Sequence, residues 1–87
     1  MTPTVDQAEE MRRLRWQCRR GMLELDLLLI QFLEKGYNRM SGKGKSAFSR
    51  LLGYQDQVIY DWLTRQAVPA DPELRETVRK IREVGGS

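Results

Sequence analysis

Arg20, Gly21 and Glu24 combine the residue types and the spacing of a site that binds another protein. If a helix continues across Gly21, residues three and four apart share one face, and the glycine leaves a gap between a guanidinium and a carboxylate. Such a gap lets another backbone approach closely. In the alternative interpretation, Gly21 only marks a helix boundary, and Arg20 and Glu24 form a surface ion pair worth well under ~1 kcal/mol. The sequence alone leaves both interpretations open.

A run of arginines surrounds these residues and is the strongest electrostatic feature of the sequence. No acidic residue occurs between Met11 and Leu23, although the net charge of the whole chain is only +3. The run fits a solvated helix face, a surface for docking a partner, or phosphate contacts to nucleic acid. It comprises Arg12, Arg13, Arg15, Arg19 and Arg20.

Residues for catalysis and metal binding are scarce. The chain has no histidine and one cysteine, Cys18, so it lacks the usual zinc ligands and the bases of Ser-His or Cys-His chemistry. Glu24 and Asp26 stand two residues apart, which places them about 200 degrees apart around a helix and excludes a convergent acid-base pair. We therefore predict no catalytic residue, no metal site and no enzymatic activity, with Cys18 as a small buried apolar residue.

Five helical segments are predicted from their start and stop signals, and no segment has the period-two alternation of a half-buried strand. The first helix begins near Val5, after a capping box formed by Thr4 and Gln7, and it ends or bends at Gly21. Its inward face comprises Ala8, Met11, Leu14 and Cys18.

The second helix is the expected centre of the core. Its apolar residues recur at three- and four-residue spacing, and it stops at Gly36. The opposite side is also apolar at Leu23, Leu27 and Ile30, so we expect that side to be covered by neighbouring helices or by a partner. The inward face comprises Met22, Leu25, Leu28, Leu29, Phe32 and Leu33.

Three further helices complete the predicted bundle. Ser41 caps the third helix, Gly53 is its left-handed terminator, and Asp56 caps the fourth. Asp71 followed by Pro72 starts the fifth helix, because proline at the first helical position loses no needed hydrogen bond. The inward faces of these three helices comprise Ala47, Phe48, Leu51, Leu52, Val58, Ile59, Trp62, Leu63, Leu74, Val78 and Ile81.

The composition agrees with an all-α fold that is compact and small. With 87 residues, 40% hydrophobic and 31% charged, the chain suffices for one domain with a thin core. We predict a single-domain five-helix bundle over residues 1–87, with an ordered core at about 5–84. The most apolar stretch, residues 22–33, is far shorter than the ~20 residues that span a bilayer. Acids precede the first arginine, so no targeting segment is predicted, and we expect a cytoplasmic bacterial protein that inserts into no membrane.

Residues 16–26, which read WQCRRGMLELD, resemble the signature of the FAD assembly factor family of succinate dehydrogenase. The matching residues are Trp16, Cys18, Arg19, Arg20, Gly21, Met22, Glu24, Leu25 and Asp26. Supporting segments in the family's order are FLEKGY (32–37), FSRLL (48–52), YDWL (60–63) and the residues Pro69, Ala70, Asp71, Glu73 and Leu74. The resemblance covers roughly residues 12–82, which is nearly the whole predicted domain.

The resemblance implies an assembly chaperone that binds the flavoprotein subunit of succinate dehydrogenase, or of fumarate reductase, and promotes covalent attachment of FAD to it. It implies that this chain binds no cofactor stably and acts on the FAD of its partner, as a monomer when free. Because the chain has no histidine, the flavin-accepting histidine must belong to the partner. Arg20 is the first candidate for a charge-assisted contact with a partner carboxylate or with negative charge near the flavin. The implied partner-binding residues are Arg20, Gly21 and Glu24, together with Asp26, Arg19 and Trp16.

A small basic helix-turn-helix protein that binds nucleic acid is the alternative function. The third and fourth helices around Gly53 would form the motif, and the arginines would contact phosphates. The recognition helix at 57–65 would then carry Asp61, Trp62 and a single arginine, which is a poor set for base edges and phosphates. From this distribution we expect no nucleic-acid partner.

Overall fold

The computed structural model describes residues 5–86 of the 87-residue chain, and side chains from residue 6 onward. Within this part of the chain all regular structure is helical, which confirms the predicted all-α class. No helix in the described part has the length and apolar character needed to cross a membrane. The elements are α1 (Val5–Gln17), α2 (Leu23–Lys35), a 3-10 helix (Tyr37–Arg39), α3 (Gly42–Leu51), α4 (Asp56–Leu63) and α5 (Pro72–Val84).

Side-chain caps start two of the helices as predicted. At the start of α3, the backbone N–H of Gly44 donates to the hydroxyl oxygen of Ser41 at 3.2 Å. At the start of α5, the backbone N–H of Glu73 donates to the carboxylate of Asp71 at 2.8 Å. The predicted capping box of α1 lies outside the described residues because it involves Thr4.

Three predicted helix boundaries are wrong. α1 ends at Gln17, so Gly21 lies in a loop and not at the end of the helix. Gly53 does not terminate α3 in the left-handed conformation, because its φ is not positive. Asp56 is the first residue of α4 and not its cap, because its carboxylate accepts a hydrogen bond from Arg20 instead.

The core forms around α2, as predicted, and α2 packs against α1, α4, α5 and the 3-10 helix. The rings of Phe32 and Phe48 lie at its centre, with centroids 5.2 Å apart. Ala8 was placed on the inward face of α1, and this is wrong: every side chain from 6 to 10 is exposed, so packing begins at Met11. The buried apolar residues comprise Leu14, Cys18, Leu25, Leu29, Phe32, Leu33, Tyr37, Met40, Ala47, Phe48, Leu51, Leu52, Ile59, Trp62, Leu63, Leu74, Val78 and Ile81.

The 3-10 helix Tyr37–Arg39 is an element that the sequence pattern does not predict. It follows Gly36, where a Cβ would lie 2.8 Å from the ring of Phe32, so any larger residue would disturb the core. The buried Tyr37 hydroxyl donates to Glu10 at 3.0 Å and ties α1 to the end of α2. Burial raises the pKa of Tyr37 to about 12, so the hydroxyl remains a donor at neutral pH.

Candidate partner-binding site

Residues 18–22 form the α1–α2 loop, and Gly21 sets its path. Gly21 has a φ of +86°, in the left-handed region that favours glycine. It is exposed, and a Cβ built on it would meet no other atom within 4 Å. The interpretation in which one helix continues across Gly21 is therefore wrong. The glycine lies within the loop between the two helices, so the alternative interpretation holds only in that no helix crosses it, and it presents bare backbone to solvent.

The guanidinium of Arg20 is turned into the protein. Its Nε donates to Oδ1 of Asp56 at 2.7 Å. Its Nη1 donates to the carbonyl oxygens of Gln17 and Leu52 at 2.8 and 2.9 Å. Its Nη2 donates to the carbonyl oxygen of Tyr54 at 2.6 Å, and the side chain is only 14% exposed. These four hydrogen bonds join the end of α1, the α3–α4 connection and the start of α4.

Asp26 holds the same loop from the other side. Its Oδ1 accepts a hydrogen bond from the backbone N–H of Arg20 at 2.8 Å, and its Oδ2 accepts one from Gly21 at 3.3 Å. The carboxylate lies in the first turn of α2, where negative charge also interacts favourably with the helix dipole. The structure thus brings Asp26, one of the implied partner-binding residues, to Arg20 and Gly21, but through contacts within the protein.

Glu24 points outward, and its partner is on another helix. The hydroxyl of Tyr60 in α4 donates to Oε2 of Glu24 at 2.9 Å, and both groups are at the surface. This hydrogen bond raises the pKa of Tyr60, because it stabilises the protonated phenol beside a carboxylate. The surface ion pair between Arg20 and Glu24 is not formed, since Arg20 pairs with Asp56.

An apolar stripe lies beside Glu24 on the solvent side of α2. Leu23 is 76% exposed and Leu27 is 55% exposed, although large apolar residues usually find cover. Residues three and four apart are neighbours on a helix, so Leu27 adjoins both Glu24 and Leu23. The third residue of this predicted apolar side, Ile30, is partly buried against the core, whereas no described helix covers Leu23 or Leu27. We define the docking face as Gly21, Leu23, Glu24, Leu27 and Tyr60.

Trp16 and Arg19 lie on α1 and just after it. The indole of Trp16 is 68% exposed, and the guanidinium carbon of Arg19 lies 5.5 Å from the centre of its ring. This spacing allows a cation–π interaction between them. These two predicted site residues therefore contact each other, and no hydrogen bond or ion pair joins them to the docking face among the described residues.

Cys18 lies at the start of the α1–α2 loop and is fully buried. Burial raises the pKa of its thiol to about 11, even though the nearby Arg20 acts in the opposite direction. The group is therefore a neutral thiol at physiological pH. This confirms the prediction that it is a small buried residue and not a nucleophile.

Asp56 and Tyr60 are the site residues that the sequence reasoning missed. Asp56 was interpreted as a helix cap, which is a common role for aspartate, and nothing in its spacing points to Arg20. The sequence does contain a pattern that predicts an exposed Tyr60, because residues 57, 60 and 61 occupy the side of α4 opposite its apolar stripe. A tyrosine on such a polar side indicates a surface role.

The helix-turn-helix alternative finds little support in the geometry. α4, the would-be recognition helix, contains no lysine or arginine. Its Trp62 is buried in the core, and its Tyr60 is hydrogen-bonded to Glu24. Arg65 lies beyond the end of α4. The helix therefore offers no cation for a phosphate and few groups for base edges.

Similarity to known proteins identifies the family of this chain. A family model described as flavinator of succinate dehydrogenase, Sdh5, matches residues 12–85. The chain belongs to this family. The match covers nearly the whole described chain, including the α1–α2 loop and the docking face. The family consists of assembly factors and not enzymes, which confirms both the resemblance and the prediction that the chain has no catalytic activity.

Individual bacterial relatives agree with this family membership. The FAD assembly factor SdhE of Coxiella burnetii is 40% identical over 73 residues, which cover 84% of this chain and 89% of that protein. That of Pseudomonas aeruginosa is 40% identical over 72 residues, covering 83% and 86%. That of Colwellia psychrerythraea is 45% identical over 69 residues, covering 79% and 76%. Similarity therefore extends along most of each chain and is not confined to one motif.

Proposed function

We propose that this protein binds the flavoprotein subunit of succinate dehydrogenase through the docking face and promotes covalent attachment of FAD to that subunit. The family match over residues 12–85 carries this proposal. The exposed leucines support it, because burying Leu23 or Leu27 against a partner is worth about 1.5–3 kcal/mol each. The family resemblance also implies the flavoprotein subunit of fumarate reductase, and we propose that subunit as a second client.

Each residue of the site has a distinct role in this proposal. Gly21 lets the partner's backbone approach, because no side chain covers the loop there. Glu24 accepts hydrogen bonds from the partner beside its existing bond from Tyr60. Arg20 is a positioning residue: its four internal hydrogen bonds favour this role over the direct contact with a partner carboxylate that the sequence suggested.

The chemistry belongs to the partner, and this chain contributes binding. The chain has no histidine, so the histidine that accepts the flavin is on the flavoprotein. The partner's FAD supplies the reacting methyl group. Docking favours the flavoprotein conformation in which these two groups are held together, and it does so only by the difference in its affinity for the two conformations. The cytoplasmic location and the monomeric free state stay predictions.

The substitution Gly21→Arg tests the docking face. We expect affinity for the flavoprotein to fall by about 100-fold or more, which is ~2.7 kcal/mol, because the side chain fills the approach path. Forcing a non-glycine residue to a positive φ also costs about 1–2 kcal/mol of stability. Binding to the purified flavoprotein and the in-gel fluorescence of covalent flavin are the measurements.

Gly86→Arg is the matched control for this experiment. Gly86 also has a positive φ, of +85°, and open space around it, so the strain is similar while the docking face is intact. We expect this control to bind and flavinylate like the parent. Normal binding by the folded Gly21→Arg variant would show that the docking face is placed wrongly.

The substitution Glu24→Ala tests the carboxylate of the docking face. We expect a lower yield of covalent FAD and an affinity reduced by about tenfold, because a charge-assisted hydrogen bond is worth roughly 1.5–3 kcal/mol. Glu83→Ala is the control, since it removes an exposed carboxylate of α5 that lies outside the docking face. A Glu24→Ala variant with unchanged yield would remove Glu24 from the site.

A further inference from the structure

The outer face of α1 carries a cleft that the docking face does not include. Four side chains line this cleft of about 250 Å³: Arg12, Arg15, Trp16 and Arg19. We call it the Arg–Trp cleft. It is open to solvent, and the exposed indole of Trp16 is its only apolar wall.

Two of the three arginines of the Arg–Trp cleft form no ion pair within the described part of the chain. Among the described residues, Arg12 makes no ion pair, and Arg19 contacts only the ring of Trp16 by its guanidinium. Arg15 lies 3.8 Å from the carboxylate of Glu34, but both side chains are about half exposed, so the pair is weak. Three arginine side chains and one exposed aromatic ring thus line the same cleft.

This arrangement suits carboxylates presented beside an apolar group. A guanidinium that lies over an aromatic ring keeps its N–H groups at the edge, where a carboxylate can accept two hydrogen bonds. Contact with Trp16 also limits the motion of Arg19, so less side-chain entropy is lost on binding. Tryptophan and arginine are the residue types that contribute most to protein–protein affinity.

The neighbouring charges favour a protein ligand over a nucleic acid. A second cleft on the same face, about 420 Å³, joins Arg12, Arg13 and Trp16 to three carboxylates. Those carboxylates belong to Asp6, Glu9 and Glu10. A nucleic-acid backbone that follows α1 would bring its phosphates close to these carboxylates within three turns of the helix. A polypeptide can instead place its acidic residues next to the arginines and keep them away from the carboxylates.

We propose that the Arg–Trp cleft binds an acidic segment of the flavoprotein, with carboxylates on the arginines and an apolar side chain on Trp16. The identity of the partner rests on the proposed function. The cleft and the docking face then hold the flavoprotein at two places, and the cleft adds the salt-dependent part of the affinity.

The test is the triple variant Arg12→Gln, Arg15→Gln, Arg19→Gln, measured for equilibrium binding to the purified flavoprotein. We expect about a tenfold loss of affinity in ~0.1 M NaCl and under ~3-fold in ~1 M NaCl, where the screening length falls from about 10 Å to 3 Å. Trp16→Ala should lose about tenfold at both salt concentrations, and Trp16→Phe should recover most of it. Circular dichroism checks that each variant folds.

A matched control removes the same charge elsewhere. Arg39→Gln, Lys43→Gln, Arg75→Gln lowers the net charge equally from exposed positions, and it should change affinity by less than ~3-fold. If the cleft variant behaves like this control while the parent binds, the proposal is overturned and the proposed function stands. A parent that does not bind the flavoprotein would overturn the proposed function itself. Tighter binding to duplex DNA than to the flavoprotein would assign the cleft to nucleic acid instead.

Discussion

The α1–α2 loop and the Arg–Trp cleft share Arg19, but the arginine that anchors the loop and those that line the cleft have opposite roles. In the loop, Arg20 is 14% exposed in its side chain and donates to four acceptors of the same chain. In the cleft, Arg12 and Arg19 face solvent. The arginine run therefore contains arginines with two different roles: Arg20 stabilises the loop, and the cleft arginines are available to a partner. The hydrogen-bond acceptors near each side chain, and not the residue type, determine which role it has.

The substitution Arg20→Ala should have the largest effect on this difference. It leaves the carboxylate of Asp56 and the carbonyl oxygens of Leu52 and Tyr54 without their donor, so we expect a loss of about 2–4 kcal/mol in the free energy of unfolding. Arg12→Ala, in the cleft, should change it by no more than about 0.5 kcal/mol. Urea denaturation of both variants measures the contrast, and equal losses would mean that the two regions do not differ.

The reactivity of Cys18 tests the same comparison, because this buried thiol belongs to the first residue of the loop. Its pKa of about 11, against 9.0 for an unburied thiol, leaves roughly 100-fold less thiolate at pH 8 than in the unfolded chain. We expect alkylation by iodoacetamide to be at least that much slower in the folded protein. Arg20→Ala should speed it severalfold, whereas Arg12→Ala should not. Fast alkylation of the folded parent would show that the loop is open.

The same pKa shift predicts how stability depends on pH. The folded protein holds the proton of Cys18 more tightly than the unfolded chain does, so the unfolded chain loses it first as pH rises. This contribution is fully present below pH 9 and is lost between about pH 9 and 11. Cys18→Ala should flatten that part of the pH profile of the free energy of unfolding.

The substitution Asp26→Asn should have the smallest effect of the loop variants. Asparagine keeps one oxygen acceptor for the backbone N–H of Arg20 or of Gly21 and loses the charge, so we expect a cost of about 1 kcal/mol. We expect affinity for the flavoprotein to fall only to the extent that the lost hydrogen bond lets the α1–α2 loop change its conformation. Thermal unfolding measures the stability, and a cost above that of Arg20→Ala would reverse the ranking of the two residues.

Local signals predicted most of the fold. The apolar spacing of α2, the cap at Ser41 and the start of α5 at Asp71 each depend on residues a few positions apart, and each is confirmed. The failures involve distant residues. Asp56 had the sequence of a cap, and only the folded chain brings it to Arg20. A helix end at Gln17 had no glycine or proline to signal it.

The candidate site was predicted in part for the same reason. Gly21 and Glu24 are recognisable from the residues around them, and the apolar outer side of α2 indicated that Leu23 and Leu27 need a cover. The inward turn of Arg20 was not predictable, because carbonyl oxygens are its main acceptors and every residue has one. The resemblance to a family points to this region without giving the orientation of each side chain, and its role in binding stays a prediction.

The acceptors of Arg20 at Leu52, Tyr54 and Asp56 follow it by 32, 34 and 36 positions. A chain that lacks this later segment keeps only the carbonyl oxygen of Gln17 as an acceptor for the guanidinium, while Asp26 still holds the backbone of the loop. Three of the four hydrogen bonds of Arg20 therefore form only after the end of α3 and the start of α4 have been made and have folded against the loop.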